Sequence, residues 1–179
     1  MGPHKTGNHV ERESILRILF VCLGNICRSP MAEGLFRREL ERRGIDHLVE
    51  VDSAGTGDWH VGEAPDPRAR RAIARRGVDI SHLRGRQVRP RDLDDFDLIL
   101  AMDAENFSDL LALADDRQME RIRLFLDFAP QTGRREVPDP YFGGEDGFEL
   151  VLDLLQAAAE GLADHVEKEL RRQGRLQRA

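Results

Sequence analysis

Cys22 and Arg28 bracket the segment Cys22-Leu23-Gly24-Asn25-Ile26-Cys27-Arg28-Ser29-Pro30, with five residues between them. An apolar run precedes this segment, and Ser29-Pro30 reads as the start of a helix. The pair therefore sits on a tight turn from a strand into a helix N-terminus. Such a turn suits an oxyanion, because its backbone N–H groups point inward and the helix dipole adds partial positive charge. Arg28 offers a planar fork for two phosphate oxygens, which a lysine does not. The same field favours a sulfur anion at Cys22. Gly24 and Asn25 are residue types that tolerate the left-handed backbone such a loop requires. A strand-end cysteine is most often a small buried hydrophobe, and an arginine early in a helix is most often solvated. Their joint placement reverses those odds.

Two simpler assignments fail. No Gly-Lys-Ser/Thr follows Gly24, so the loop is not a Walker A element. Two cysteines and no histidine pair at ligand spacing exclude a structural zinc site.

The elements that must position this loop alternate along the chain. Residues 15–22 form an apolar run suited to a strand buried on both faces. Ser29 is expected to cap the helix that follows, with Pro30 at its first position. Met31, Leu35, Phe36 and Leu40 give that helix an apolar face, and Gly44 ends it. A second strand is expected over residues 49–53, then a loop over 54–65. Asp66-Pro67 opens a second helix through Arg76, with the Asp66 carboxylate as its cap. Residues 97–102 read as a third strand, and Phe107, Leu110, Leu111 and Ala114 mark a helix. Residues 122–128 read as a fourth strand. Phe148, Val151, Leu152, Leu155, Ala159, Leu162, Val166 and Leu170 mark one long amphipathic helix. The implied fold is α/β: one domain with a four-stranded parallel sheet, helices on both faces, and the anion loop between first strand and first helix. The domain is expected over residues 15–173, with a flexible extension over 1–14 and a tail over 174–179. Residues Met1 to Thr6 satisfy a myristoylation pattern formally, but Pro3 weakens it.

In such folds ligands bind beyond the carboxyl ends of the strands. Asp139-Pro140 falls in a loop at that edge, and no helix begins directly after it. Asp139 can initiate a turn, but it is also better placed than Asp66 to donate a proton beside Cys22. The bulk properties bound the partners. The chain has 179 residues and a net charge of −6, a poor balance for a general nucleic-acid binder. A hydrophobic fraction of 40% supports a core. No apolar run approaches the length of a membrane span, and two cysteines make a reducing, cytoplasmic setting the default. No nucleic-acid or membrane partner is expected, and a monomer is.

The segment from Cys22 to Pro30 resembles the phosphate-binding loop of the low-molecular-weight protein tyrosine phosphatases. Ser53-Ala54-Gly55, Met102-Asp103 and Asp139-Pro140-Tyr141 occur in that family's order, and the likeness runs from about Ile15 to about Leu170. It implies Cys22 as nucleophile, Arg28 as phosphate ligand and Asp139 as general acid. Leu23, Gly24, Asn25, Ile26, Cys27 and Ser29 would then line the phosphate site, with Ser29 also hydrogen-bonding the Cys22 sulfur. Trp59 and Tyr141, the one tryptophan and the one tyrosine, would wall the cleft beside the substrate ring. The implied substrate is a phosphotyrosine protein, hydrolysed through a phosphocysteine without metal or cofactor.

Two departures stand out. Phe142 replaces a second tyrosine of many members, and His82 precedes Arg86-Gln87 by a spacing one residue off the family's, so His82 carries no role. Four rivals are weighed. An arsenate-reductase-type thiol oxidoreductase looks for later resolving cysteines, and none follows Cys27; a Cys22–Cys27 disulfide would instead protect a phosphatase. A phosphocarrier subunit would have no need of Arg28 or Asp139. A dead phosphoprotein-binding module would not keep all three catalytic residue types. A protein-arginine phosphatase of the same family carries threonine where this chain has Ile26, which suits an aromatic group and crowds a guanidinium.

Overall fold

In the computed structural model, which describes residues 15–141 and 143–177, the first apolar run becomes β1 (Leu16–Cys22). The expected extension over 1–14, Phe142 and the last two residues of the expected tail lie outside the described residues. Ile18 to Val21 are wholly buried, because β1 is central and covered on both faces. β2 (Val49–Gly55), β3 (Leu98–Ala101) and β4 (Ile122–Leu124) complete a parallel sheet in the order β2-β1-β3-β4. The register pairs Cys22 with Gly55 and Val21 with Ala101. All four carboxyl ends therefore meet at one edge. The chain steps outward from β1 to β2 and then returns to the other side of β1 at β3. The switch point of the topology falls between β1 and β3, where α/β sheets open a crevice.

Two cores follow from the alternation of side chains along β1. Ile18 and Phe20 face α1 (Arg28–Arg42), α2 (Pro67–Ala74) and the long α5 (Glu145–Arg172). Leu19 and Val21 face the other core, with Leu93 of the short α3 (Asp92–Asp95) and Leu110 of α4 (Ala104–Leu113). Every apolar position marked for the C-terminal helix is buried. Phe20 sits edge-on to Phe36 at 5.6 Å and to Phe125 at 5.0 Å between ring centroids. Such pairs add roughly 0.5–1.5 kcal/mol each beyond burial, so Phe20 ties the sheet to α1 and to the segment after β4.

Several boundaries differ from the sequence reading: β2 runs on to Gly55, into the expected loop, α2 ends at Ala74 short of Arg76, and β3 keeps only Leu98–Ala101 of the expected 97–102. α1 starts two residues early, with Cys27 at its cap position and no side-chain cap. Ser29 is inside the helix, since its hydroxyl is committed elsewhere. The expected strand over 122–128 stops at Leu124, and Phe125–Phe128 turn into a 3-10 helix. That turn lets Phe125 and Leu126 both reach the α1–α5 core, which strand alternation would forbid. α3 had no apolar periodicity to announce it. It forms where Asp92 accepts from the Arg89 N–H at 2.7 Å and from Arg86 at 2.9 Å.

α5 crosses the 3-10 turn at Gly161, where a Cβ would lie 1.8 Å from the Phe128 carbonyl oxygen. Alanine favours a helix over glycine by roughly 1 kcal/mol, but the backbone contact cannot yield without moving α5. Overpacking of this kind costs about 1–3 kcal/mol, so Gly161→Ala should lower the urea midpoint. An unchanged or raised midpoint would show that the two elements separate freely.

Candidate active site

Four loop carbonyls set the shape of the turn after β1. The oxygens of Cys22, Leu23, Ile26 and Cys27 accept hydrogen bonds from the N–H groups of Thr56, Gly57, Asp66 and Met31, at 2.9, 2.9, 2.8 and 3.2 Å. In a trans peptide C=O and N–H point opposite ways. With those carbonyls drawn into the framework, the N–H groups of Leu23, Gly24, Cys27 and Arg28 face the inside of the turn. This is the arrangement that holds an anion. Close approach of β2 makes it possible: a Cβ on Gly55 would lie 2.8 Å from the Leu23 oxygen and 3.2 Å from the Asn25 nitrogen.

Asn25 carries the left-handed bend, with φ 56°. Gly24 does not use that region, contrary to the sequence reading. What its missing side chain provides is room for the His60 ring, which would lie 3.1 Å from a Cβ there. The Asn25 side chain pins the bend by donating to Ser29 Oγ at 2.8 Å and Ser53 Oγ at 3.0 Å. Its Oδ1 accepts from the Arg86 N–H at 3.0 Å. Ser53 in turn donates to Glu33 at 2.8 Å. Burial pushes the Glu33 carboxyl up from its ordinary value, against the opposing pull of Arg37 and Ser53.

Cys22 Sγ lies 3.0 Å from Ser29 Oγ and 3.3 Å from the Asn25 N–H. Because the Ser29 oxygen already accepts from Asn25, its own hydrogen is free to be donated to the sulfur. Arg28 is buried, with a side-chain exposure of 3%. It donates to Asp103 Oδ2 at 2.6 Å and to the Val137 oxygen at 3.0 Å, and Asp139 Oδ2 lies 3.5 Å away. Burial opposes the guanidinium charge, but Cys22, Asp103 and Asp139 outweigh it and hold the proton more tightly than usual. Cys27 is the reverse case. Burial first, then Asp66, Cys22 and Asp139, push its thiol far up, so it stays protonated. Both cysteines are free thiols.

Asp139 does two things at once. Its Oδ1 accepts from the Tyr141 N–H at 3.0 Å, the turn-initiating role expected of an Asp before proline. Its Oδ2 faces Arg28. The Val137 N–H, donated to the Met102 oxygen at 2.8 Å, brings this stretch to the end of β3.

Around these groups lies a cleft of about 250 Å³ lined by Cys22, Leu23, Gly24, Ile26, Cys27 and Arg28 of the loop, with Trp59, His60, Asp139 and Tyr141 above it. The structure thus brings Cys22, Arg28 and Asp139 together with both expected aromatics. Trp59 is 68% exposed and Tyr141 38% exposed, so they are walls and not core. Asn25 and Ser29 stand behind the loop, where they brace it. His82 is exposed, on a separate groove beside Glu33 and Arg37. Sequence reasoning missed Asp103 as the partner of Arg28, and it missed His60, whose Nδ1 is 2.6 Å from Glu63 Oε2. Met102-Asp103 was visible as a motif, but nothing in it pointed at Arg28. Among the described residues no group of histidine, cysteine and acidic side chains could hold a metal ion.

A sulfur and a guanidinium on an inward-facing amide turn, at the switch point of a parallel sheet, define an α/β protein built to hold a tetrahedral oxyanion against a cysteine. The family model for low molecular weight phosphotyrosine protein phosphatases matches residues 17–173. YfkJ of Bacillus subtilis, a low molecular weight protein-tyrosine-phosphatase, is 41% identical over 155 residues, covering 87% of this chain and 98% of its own. Its crystal structure superposes with a TM-score of 0.83. A protein tyrosine phosphatase of Entamoeba histolytica gives a TM-score of 0.84 at 38% identity, covering 86% of this chain and 98% of its own. A Drosophila arginine phosphatase also superposes, with a TM-score of 0.79 at 31% identity, covering 85% of this chain and 98% of its own. The chain belongs to the low-molecular-weight phosphotyrosine protein phosphatase family.

Proposed function

We propose that this protein hydrolyses phosphotyrosine in proteins through a phosphocysteine on Cys22. The observation that carries the reading is the convergence of Cys22, Arg28 and Asp139 on one cleft with apolar and aromatic walls. The Cys22 thiolate attacks phosphorus in line with the bond to the tyrosine oxygen. As the S–P bond forms and the P–O bond breaks, Asp139 gives its proton to the leaving oxygen. Arg28 and the loop N–H groups hold the equatorial oxygens, where the transition-state charge spreads. Asp139, now a carboxylate, takes a proton from water as that water attacks phosphorus. The P–S bond breaks, returning the thiolate and inorganic phosphate. The Ser29 hydroxyl stabilises the departing sulfur, and Asp103 keeps the guanidinium aimed.

Kinetics on matched phosphotyrosine, phosphoserine and phosphoarginine peptides test the reading. Burying an aromatic side chain is worth roughly 1.5–3 kcal/mol, so phosphotyrosine should lead phosphoserine in kcat/KM by about 10- to 100-fold. Equal rates would sink the assignment. The arginine alternative has a specific handle, since Ile26 lies in the cleft lining and is 7% exposed. Ile26→Thr shortens that wall and adds a hydroxyl. The phosphoarginine-to-phosphotyrosine ratio of kcat/KM should then rise about tenfold, the scale of one methyl-sized change in a pocket. A ratio that does not move would remove Ile26 from the discrimination.

A further inference from the structure

We propose that Arg68 is a positioning residue that fixes the Asp139 loop over the cleft by clamping it to the anion loop. The inference rests on the reading of Asp139 as the general acid. Arg68 lies in the first turn of α2, the wrong end of a helix for a cation, so helix stability does not account for it. Its contacts do. Nε and one terminal nitrogen grip Asp66 at 3.1 and 2.9 Å, and Asp66 is anchored to the anion loop by its N–H, donated to the Ile26 oxygen at 2.8 Å. The same guanidinium donates to the Tyr141 oxygen at 2.9 Å and the Gly143 oxygen at 3.3 Å. Its carbon stands 5.5 Å from the Tyr141 ring centroid and 5.2 Å from that of Phe148, within cation–π range of both rings while its fork keeps its hydrogen bonds.

The clamp reaches Asp139 through one more bond. Tyr141, whose carbonyl Arg68 holds, donates its N–H to Asp139 Oδ1. Holding both sides of Tyr141 sets the rotation of the carboxyl group and leaves Oδ2 turned toward Arg28 and the cleft. A proton donor works only within hydrogen-bond reach of the leaving oxygen. Releasing the clamp would therefore cost protonation of the leaving group while leaving the anion loop intact.

The test compares wild type, Arg68→Ala, Arg68→Lys, Asp139→Asn and Arg68→Ala/Asp139→Asn on two aryl phosphates, phenyl phosphate and an activated nitrophenyl ester. Arg68→Ala should lower kcat/KM on phenyl phosphate by about 10- to 100-fold, part of the ~10²–10⁴-fold that general acid catalysis supplies. On the activated ester the loss should stay under about twofold, because that leaving group needs little protonation. Arg68→Lys keeps the charge without the fork and should resemble alanine. Added to Asp139→Asn, the Arg68 change should cost nothing more on phenyl phosphate. Inhibition by inorganic phosphate should be unchanged, and amide hydrogen exchange over residues 139–144 should quicken. Leaving-group dependence in Asp139→Asn without any in the Arg68 variants would overturn the clamp and keep the acid. Absence of that dependence in Asp139→Asn would remove the acid, and the clamp with it. Should the alanine variant melt early, the lysine variant and the exchange measurement decide alone.

Discussion

Cys22→Ser should abolish phosphotyrosine hydrolysis while leaving the affinity for inorganic phosphate within a few-fold of wild type. A serine hydroxyl at this position keeps the contact to Ser29, since both hydrogen-bond at similar range. What it loses is the sulfur nucleophile itself. The turn that binds the anion is built from backbone groups held by Thr56, Gly57 and Asp66, none of which depends on the sulfur. Loss of a covalent nucleophile typically costs on the order of 10⁴-fold or more, so residual turnover should fall below detection. In the unaltered protein, rapid quenching during turnover should place a phosphoryl group on the peptide bearing Cys22. Label on Cys27 or on a histidine would overturn the assignment. The strongly raised Cys27 thiol argues against its serving as a substitute.

Asp139→Asn should divide substrates by their leaving groups. The amide keeps the acceptor for the Tyr141 N–H, so the turn survives. It has no proton to give. On phenyl phosphate kcat/KM should drop by about 10²–10⁴-fold, the usual range for a general acid. On an activated nitrophenyl ester the drop should shrink to a small factor. In the same variant kcat should fall on both substrates, because hydrolysis of the phosphocysteine is common to them and needs the base. Equal kcat/KM losses on the two esters would mean that Asp139 shapes the loop and that the donor lies elsewhere.

How much of this was legible beforehand varies by element. β1, the anion loop and α1 were readable because a doubly buried strand, a Cys and an Arg at fixed spacing and a Ser-Pro dipeptide all agree. The C-terminal helix was readable from its 3.6-residue period alone, and its marked positions are all buried. β4 was over-extended because Phe125 and Leu126 continue an apolar run, and a run of that kind does not distinguish strand from 3-10 turn. Ser29 was misassigned as a cap for a related reason. Its type fits a cap, and its bond to the Cys22 sulfur was expected as well, but only three dimensions show that the Asn25 amide also holds the hydroxyl and that the helix begins before it. Asp103 and His60 were illegible because their significance lies in what they touch across the fold. The place of Asp139 at the cleft was legible because its Asp-Pro falls in a loop at the right edge of the sheet with no helix directly after it, and its turn-initiating bond was expected too.

The bonds of Arg28 span the chain: Asp103 is 75 residues downstream and the Val137 carbonyl 109. Cysteine and arginine emerge early in synthesis, on a β1–α1 unit that local pairing can begin to organise. Asp103, Val137 and Asp139, which gather round the guanidinium, come much later, and α5, which covers α1, comes last. The site is thus assembled from distant parts of the chain: a fragment ending before Val137 would carry Cys22 and Arg28 without two of the three groups that hold the guanidinium.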